Sequence, residues 1–311
     1  MILVNYLIMC LIFGTTFLGI KIGIDAGAPP FLSAGVRFFI AGLLLFTWMV
    51  MKKKIHVSLL WQRDMLITGI CLTFGTFSTL YWAEQYVSSG TAAILSATAP
   101  IIIIMIQAFV IREQISKKAV AGCIIAFIGL IILVVPQVSL ESNLFWFIGC
   151  ISILIGQFFY ASGALYSKKV IRKFDNISTI ALNAAQMIYG GFLLLVLSLF
   201  TESSYLDMSS LLNLKIVGSL MYLIVLGSMV GHTLFYWLVS KTNPVFPSTW
   251  LYISPIIAMI LGIIIYREAL SWPMVFGSFT ILLGILIANW DALQMNLNSY
   301  KHRRNLLGHK L

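Results

Sequence analysis

Three ionisable residues, Arg37, Glu84 and His232, lie within long apolar runs of the chain. A charge inside the hydrocarbon of a bilayer costs on the order of 3 kcal/mol, so each of them is a candidate functional residue. The guanidinium of Arg37 presents a fixed fork of donors that suits a carboxylate, either of a bound molecule or of a partner side chain. His232 and Glu84 can take up and release a proton. The pattern predicts one binding residue, Arg37, and two proton-coupling residues, His232 and Glu84.

Each of these residues also has a purely structural interpretation. Arg37 lies about seven residues into its apolar run and could extend its head group to the membrane interface. His232 could be a packing residue, and Glu84, close to the end of its run, could be an interfacial anchor. The sequence leaves both interpretations open.

Uncharged polar residues inside the apolar runs form a second set of candidates. Gln157 and Tyr160 are three residues apart, as are Asn183 and Gln186, so each pair lies on one helix face. Amide groups avoid lipid, and these faces therefore point into the protein, where they join helices or contact a bound molecule. A threonine and a tryptophan are added because a hydroxyl and an indole can line a pocket. The predicted substrate-binding residues are Arg37, Gln157, Tyr160, Asn183, Gln186, Trp82 and Thr16.

The elements that must position these residues are membrane-spanning helices. Of the 311 residues, 60% are hydrophobic and 10% are charged, whereas soluble proteins carry roughly 25% charged residues. A helix needs about 20 apolar residues to cross a bilayer. The sequence therefore predicts an all-α polytopic membrane protein with ten transmembrane helices, near residues 2–24, 30–51, 65–86, 89–111, 117–136, 145–167, 177–200, 214–238, 244–266 and 272–291.

The chain contains an internal repeat. Arg112-Glu113 and Arg267-Glu268 are 155 residues apart, and each pair follows a proline, Pro100 or Pro255, by the same interval. These pairs are interpreted as helix-ending turns, with a gating ion pair as the alternative. Five helices per copy is an odd number, so the second copy starts on the opposite side of the membrane and the repeats are inverted. The predicted units are a first five-helix repeat over 1–137, a second over 138–291, and a basic cytoplasmic tail over 292–311.

The basic residues are distributed unequally between the two sides of the predicted membrane. If the N-terminus is inside, most of the 20 Lys and Arg residues also fall inside. This asymmetry is typical of cytoplasmic loops and predicts that both termini are cytoplasmic. The net charge of +10 then orients the protein and does not indicate nucleic acid. The inside residues are Lys52, Lys53, Lys54, Arg63, Arg112, Lys117, Lys118, Lys168, Lys169, Arg172, Lys173, Lys241, Lys301, Arg303, Arg304 and Lys310.

Several ordered segments resemble one known family. They are FGTTFLGIKIG in the first run, LSAGVRFFIAG in the second, and SATAPIIIIMIQAFVIREQISKKAVAGCIIAFIGL with its echo in the second half. Together with the two five-helix halves, they resemble the EamA-like branch of the drug/metabolite transporter superfamily, over nearly the whole chain. Members often carry Trp-Gly where this chain has Phe13-Gly14.

The resemblance implies a carrier of the cytoplasmic membrane that exports or exchanges small metabolites or drugs, for example amino acids or related compounds. The predicted function is a secondary active transporter that works by alternating access around a cavity between the repeats. A solute channel and a non-transporting scaffold or receptor are the open alternatives. No HExxH, GxSxG or GxxxxGK[ST] motif is present, so the sequence predicts neither an enzyme nor a nucleotide-driven pump. The expected partners are a small-molecule substrate and the lipid bilayer, without nucleic acid, metal or cofactor, and homo-oligomerisation is left open.

A cysteine introduced within residues 139–143 is expected to react with an impermeant thiol reagent from outside intact cells. One introduced within residues 170–174 is expected to react only after permeabilisation, because the Lys and Arg distribution places this segment inside. The measurement is thiol labelling before and after permeabilisation, in a variant whose four native cysteines are replaced. The reverse labelling pattern would overturn both the orientation and the inverted repeat.

Overall fold

The computed structural model describes residues 1–134, 143–203, 213–254, 256–257, 271–288 and 290. The regular elements within these ranges are all helical. They are α1 (Ile2–Asp25), α2 (Pro30–Met51), α3 (Arg63–Ala83), α4 (Thr91–Ile111), α5 (Lys117–Val134), α6 (Leu144–Lys173), α7 (Thr179–Thr201), α8 (Leu214–Lys241), α9 (Val245–Ser248) and α10 (Trp272–Ala288), with a short 3-10 turn at Val57–Trp61.

Seven of these helices, α1 to α4 and α6 to α8, are long and apolar enough to cross a membrane. The prediction of an all-helical membrane protein is confirmed for the described part of the chain. Helix α6 extends beyond the predicted run, and α3 ends at Ala83, just before Glu84. The ninth predicted run is described only as α9 and the helical residues 250–254 and 256–257. Pro255, Arg267-Glu268 and the 292–311 tail lie outside the described residues, and the number ten remains a prediction.

Side chains at the helix ends explain where several helices begin. Helix α2 starts with Pro30, which needs no partner for a backbone N–H in the first turn. The carboxylate of Glu202, after α7, accepts hydrogen bonds from the backbone N–H groups of Phe31 and Leu32, both at 2.8 Å. This carboxylate occupies the positive end of the α2 dipole. The end of α7 is thereby attached to the start of α2.

Helix α4 ends at the Arg112-Glu113 pair that the sequence singled out. Arg112 has a φ of +58°, in the left-handed region that commonly terminates helices. The backbone N–H of Glu113 donates to the carbonyl of Gln107 at 3.0 Å, and the Gln107 amide donates to the Glu113 carboxylate at 3.1 Å. In this half of the chain, the pair lies in a helix-ending turn, which favours the structural interpretation.

Helices α5 and α10 run antiparallel and approach each other through glycines. A Cβ on Gly122 would lie 2.5 Å from the carbonyl oxygen of Gly284, and one on Gly277 would lie 2.9 Å from that of Gly129. Small residues let helix backbones come this close, which adds van der Waals contact where lipid offers no hydrophobic advantage.

Glycines also set the α2–α7 and α1–α8 contacts. Gly42 faces the backbone of Ile188 at the crossing of α2 and α7. Gly19 faces Leu223 and Gly23 faces Ser219, so the Gly19-x-x-x-Gly23 spacing of α1, which is typical of close helix packing, lies against α8. These contacts place α1 beside α8 and α2 beside α7. Helix α2 also packs against Leu223–His232 of α8, and this position determines the site described below.

Two of the spans contain wide helical turns with π-type hydrogen bonding. They cover Gly69–Gly75 in α3 and Leu223–His232 in α8, and α4 ends in a third over Ile106–Ile111. Such turns are rare in helices and frequently occur at functional sites. The turns of α3 and α8 border the central cavity, through Leu72 and His232.

Replacing Gly122 with alanine is expected to destabilise the protein by roughly 1–3 kcal/mol, because the added methyl group would overlap the backbone of α10. The measurement is the Tm of the detergent-solubilised protein. Gly218→Ala is the matched control, since nothing lies within 4 Å of a Cβ at Gly218 and alanine favours the helix there. Equal Tm values for the two variants would contradict the close α5–α10 contact.

Candidate functional site

A cavity of about 40 Å³ lies at the centre of the helices. Side chains from α1, α2, α3, α4, α6 and α8, and from the segment after α9, form its wall, so both halves of the chain contribute. Its surface is mainly apolar and aromatic. The described lining residues are Phe13, Thr16, Phe17, Ile20, Arg37, Leu72, Thr76, Phe77, Leu80, Ser96, Gln157, Tyr160, His232, Phe235, Trp250 and Leu251.

Arg37 lies on the cavity wall and is only 1% exposed. Its Nε donates to Ser228 Oγ of α8 at 2.9 Å, and its Nη1 donates to Tyr81 OH of α3 at 3.1 Å. The side chain therefore turns inward and does not extend to an interface, which excludes the snorkelling interpretation for this conformation. Helices α2, α3 and α8 are joined at one guanidinium.

Aromatic rings and a glycine surround the same guanidinium. Its Cζ lies 4.6 Å from the ring centroid of Phe38 and 5.2 Å from that of Phe77. A Cβ on Gly227 would lie 2.9 Å from Nη2, so a larger residue there would displace the guanidinium. No carboxylate of the described residues lies within 4 Å of Arg37. Of its five N–H donors, two are used by hydroxyl groups.

His232 lies beside Arg37 and against the same phenyl rings. Its imidazole is 8% exposed, with ring centroids 5.4 Å from Phe38, 5.7 Å from Phe77 and 5.1 Å from Phe13. Two of these contacts are edge-to-face, a favourable geometry for aromatic pairs. The imidazole therefore borders the cavity within an aromatic cluster.

Three of the predicted uncharged residues also line the cavity. The Gln157 amide donates to Ser96 Oγ at 3.4 Å, and the Tyr160 hydroxyl lies 3.3 Å from Ser248 Oγ. The hydroxyl of Thr16 donates to the backbone carbonyl of Phe13 at 2.7 Å, so it contributes mainly its methyl group and a hydroxyl lone pair. These side chains add a few uncharged hydrogen-bonding groups to a wall that is otherwise apolar.

Asn183 and Gln186 lie elsewhere, fully buried in α7 and not on the cavity wall. The Gln186 carbonyl oxygen accepts from Thr73 at 2.8 Å, and its amide nitrogen donates to Asn183 at 3.1 Å. Asn183 in turn donates to Thr233 at 3.2 Å. The two amides therefore join α7 to α3 and α8 through a chain of hydrogen bonds.

Glu84 and Trp82 lie at the end of α3, and neither is among the residues that line the central cavity. Glu84 is 0% exposed, and neither of its carboxyl oxygens has a hydrogen-bond partner. Its backbone carbonyl accepts from Lys21 Nζ at 3.1 Å, and Lys21 also forms an ion pair with Asp25 at 2.9 Å. Trp82 lines a second, wider cavity together with Tyr86 and residues between α1 and α2.

Sequence reasoning missed the two residues that hold Arg37. Ser228 and Tyr81 are 191 and 44 positions away from it along the chain. A serine or a tyrosine in an apolar run gives no sign of which helix it faces. The Gly227-x-x-x-Gly231 spacing in the sequence indicates a close helix contact at this level of α8, but it does not indicate that Ser228 faces Arg37.

Many secondary transporters bind their substrate between helices of two repeated halves, and in this chain residues from early and late helices line one cavity. The model of the EamA-like transporter family matches residues 1–135 and again residues 147–290. The chain belongs to this family.

Similar proteins carry corresponding names. The chain is 28% identical over 263 residues to the uncharacterized inner membrane transporter YedA of Escherichia coli (strain K12), covering 84% of this chain and 81% of that protein. It is 23% identical to a probable amino-acid metabolite efflux pump of Salmonella typhimurium, over 90% of this chain and 92% of that protein. A solved crystal structure matches with a TM-score of 0.73 at 16% identity, covering 92% of this chain and 96% of that one. This structure supports the fold.

Proposed function

We propose that the protein is a secondary active transporter that moves small metabolites or drugs by alternating access around the central cavity, as an exporter or exchanger. Amino acids or related compounds are the proposed substrates, in keeping with the name of the Salmonella relative. The observation that carries the proposal is the buried guanidinium of Arg37 on the wall of a cavity formed by both halves of the chain.

Equivalent hydrogen bonds in the two halves support an inverted repeat. An offset of 149 residues relates Arg37 to Gln186, and an offset of 155 relates Thr73 to Ser228. Arg37 donates to Ser228, from α2 to α8, and Thr73 donates to Gln186, from α3 to α7. Each bond connects the second span of one half to the third span of the other, as a pseudo-twofold axis requires.

Contacts between equivalent residues also support such an axis. His232 is the 155-residue equivalent of Phe77, and the two rings touch at a centroid distance of 5.7 Å. The Gly122–Gly284 and Gly277–Gly129 contacts are likewise exchanged by the same offset. Residues that meet their own equivalents would lie on a pseudo-twofold axis, so we propose that the substrate binds next to the His232–Phe77 pair, where both halves could close on it in turn.

The roles of the predicted site residues follow from their positions. Arg37 is proposed to bind the substrate, with Thr16, Gln157 and Tyr160 as further contacts on the cavity wall. Asn183 and Gln186 are proposed to act from behind the wall, by holding α7 against α3. Trp82 is proposed to line the approach to the cavity from the end of α3 that is expected to lie outside.

Two groups are proposed to carry the coupling proton. His232 borders the cavity beside Arg37, so a proton on His232 and a substrate on Arg37 would bind next to each other in the same aromatic cluster. Glu84 is a buried carboxyl group without a hydrogen-bond partner, and a lone charge at such a place costs several kcal/mol. Protonation removes this cost, which makes the side chain responsive to a proton gradient.

We propose that the protein lies in the cytoplasmic membrane with both termini in the cytoplasm and with five-helix units over 1–137 and 138–291. The two matches of the family model, at 1–135 and 147–290, support this division. The distribution of Lys and Arg supports the orientation.

Purified protein in liposomes preloaded with an unlabelled substrate is expected to accumulate the labelled substrate transiently, because a carrier exchanges one molecule for another. The substrate is the compound that raises the Tm most in a panel of amino acids, nucleosides and cationic drugs. Arg37→Lys is expected to reduce the initial rate about as strongly as Arg37→Ala, by roughly tenfold or more, because an ammonium cannot reproduce the forked contacts of a guanidinium. Rates are normalised to the inserted protein, and Lys215→Gln, which removes an exposed charge on α8, is the control.

Each alternative outcome has a distinct meaning. Rapid equilibration without transient accumulation would identify a channel, and the absence of any flux would identify a scaffold or receptor. Full activity of Arg37→Lys would remove Arg37 from the binding site while leaving the carrier function intact.

The proton-coupling residues can be separated by their response to a pH gradient. Glu84→Gln and His232→Ala are both expected to retain substrate exchange. A variant that replaces a proton-coupling residue is expected to lose the acceleration of net uptake that an imposed pH gradient causes in the unmodified protein. The physical reason is that neither replacement can bind and release a proton in this range. The measurement is net uptake by the same liposomes with and without the gradient. If net uptake by both variants still responds to the pH gradient, His232 is a packing residue and Glu84 an interfacial anchor.

A further inference from the structure

We infer that the central cavity selects a monocarboxylate with an aromatic or otherwise apolar body, in preference to a zwitterion or a cation. The inference rests on the proposed transport function and names the chemical class of its substrate. It follows from three features of the cavity: one fixed positive charge, no opposing carboxylate among the described lining residues, and an aromatic wall.

The first feature is the state of the Arg37 guanidinium. A buried charge is strongly unfavourable unless it is paired, and hydroxyl partners offset only part of the desolvation. Arg37 has the hydroxyls of Ser228 and Tyr81 but no carboxylate within 4 Å among the described residues. Three of its five N–H groups remain for a ligand. A carboxylate can accept two of them in parallel, the strongest geometry available to a guanidinium.

The guanidinium is also held in place before any ligand arrives. Ser228 and Tyr81 fix it from two helices, the rings of Phe38 and Phe77 cover it, and Gly227 leaves just enough space for Nη2. A preorganised group loses little conformational freedom on binding. The site is therefore built to receive an anion and does not need to rearrange an existing ion pair.

The second feature is what the cavity lacks for an ammonium group. The described lining residues include no Asp or Glu, and those with polar side-chain atoms are Thr16, Thr76, Ser96, Gln157, Tyr160, His232, Trp250 and Arg37. An ammonium group would have to exchange its water for neutral hydroxyl and amide oxygens and for ring faces. It would also experience repulsion from Arg37. The ammonium group of a zwitterion has the same cost, but the carboxylate of the zwitterion offsets part of it by binding Arg37. An amine without a carboxylate has no such offset.

The third feature is the shape of the apolar wall. Phe13, Phe17 and Trp250 form a connected group, with centroids 4.7 Å apart for Phe13–Trp250 and 6.0 Å for Phe17–Trp250. Phe235 packs against Tyr160 across the cavity at 5.8 Å. Such rings bury a flat apolar body well, because aromatic pairs gain from offset and edge-to-face contact.

Three compounds with one phenylethyl skeleton test the inference. They are 3-phenylpropionate, phenylalanine, which adds an α-ammonium group, and phenethylamine, which lacks the carboxylate. Their Kd values are measured by calorimetry on the purified full-length protein in lipid nanodiscs. 3-Phenylpropionate is expected to bind at least tenfold more tightly than phenethylamine, with phenylalanine between them.

Two variants test whether a preference for the carboxylate over the amine arises from the cavity. Arg37→Gln is expected to remove the advantage of 3-phenylpropionate over phenethylamine. Lys215→Gln removes a positive charge from the exposed start of α8 and is expected to leave the order unchanged. Because Arg37→Gln could also disturb folding, its Tm and its affinity for phenethylamine are measured in parallel, and an unchanged or improved amine affinity shows that the cavity is intact.

Several outcomes would overturn the inference. They are amine binding equal to or tighter than that of the carboxylate, a preference that persists in Arg37→Gln, and a lack of binding by 3-phenylpropionate at millimolar concentrations. Counterflow of the same three compounds separates this inference from the proposed function. Saturable exchange of phenethylamine or phenylalanine alone would retain the carrier and reject the substrate class. Carboxylate binding without counterflow would retain the ligand class and reject the carrier.

Discussion

The positive charge of Arg37 has to be accommodated inside a protein that is surrounded by lipid, and much of the central structure depends on this requirement. No water from the bilayer can solvate the guanidinium, so the neighbouring helices must supply its partners. Ser228 of α8 and Tyr81 of α3 do so, and their bonds to Arg37 determine how α2, α3 and α8 meet. Arg37 is thereby fixed as one residue of the cavity wall.

Close contacts at glycines allow this arrangement to form. Because lipid tails are as apolar as leucine side chains, helices in a membrane associate through close packing and polar contacts. Gly42, Gly227 and Gly231 each bring α2 or α8 within reach of a neighbouring helix. At Gly227 the space freed by the missing side chain is occupied by the guanidinium itself, so packing and charge accommodation coincide at one position.

Helix positions and site contacts differed in how far they could be predicted. Long apolar runs fixed α1, α2 and α7 closely, because length and composition alone determine whether a segment can span a bilayer. Arg37 was also recognisable, since a charge in such a run is rare. Gln186 looked like an equal candidate because it is polar and buried, but its amide is satisfied by Thr73 and Asn183 behind the cavity wall. Which partner a buried amide bonds to depends on how each helix is rotated about its axis, and a single sequence does not give this rotation.

The wide turns in α8 have a mechanical consequence. In Leu223–His232 the backbone bonds skip one residue more than in an α-helix, so the segment holds its turns less tightly. A residue turns the chain by about 100° in a regular α-helix and by somewhat less in this wider winding, so a change of winding over several residues rotates one helix end relative to the other. Ser228 lies within the segment and His232 ends it, so a small change of winding would turn both side chains about the helix axis. A change of winding in α8 would therefore act on the guanidinium through the Ser228 hydrogen bond, and a regular α-helix of the same length would offer no such change.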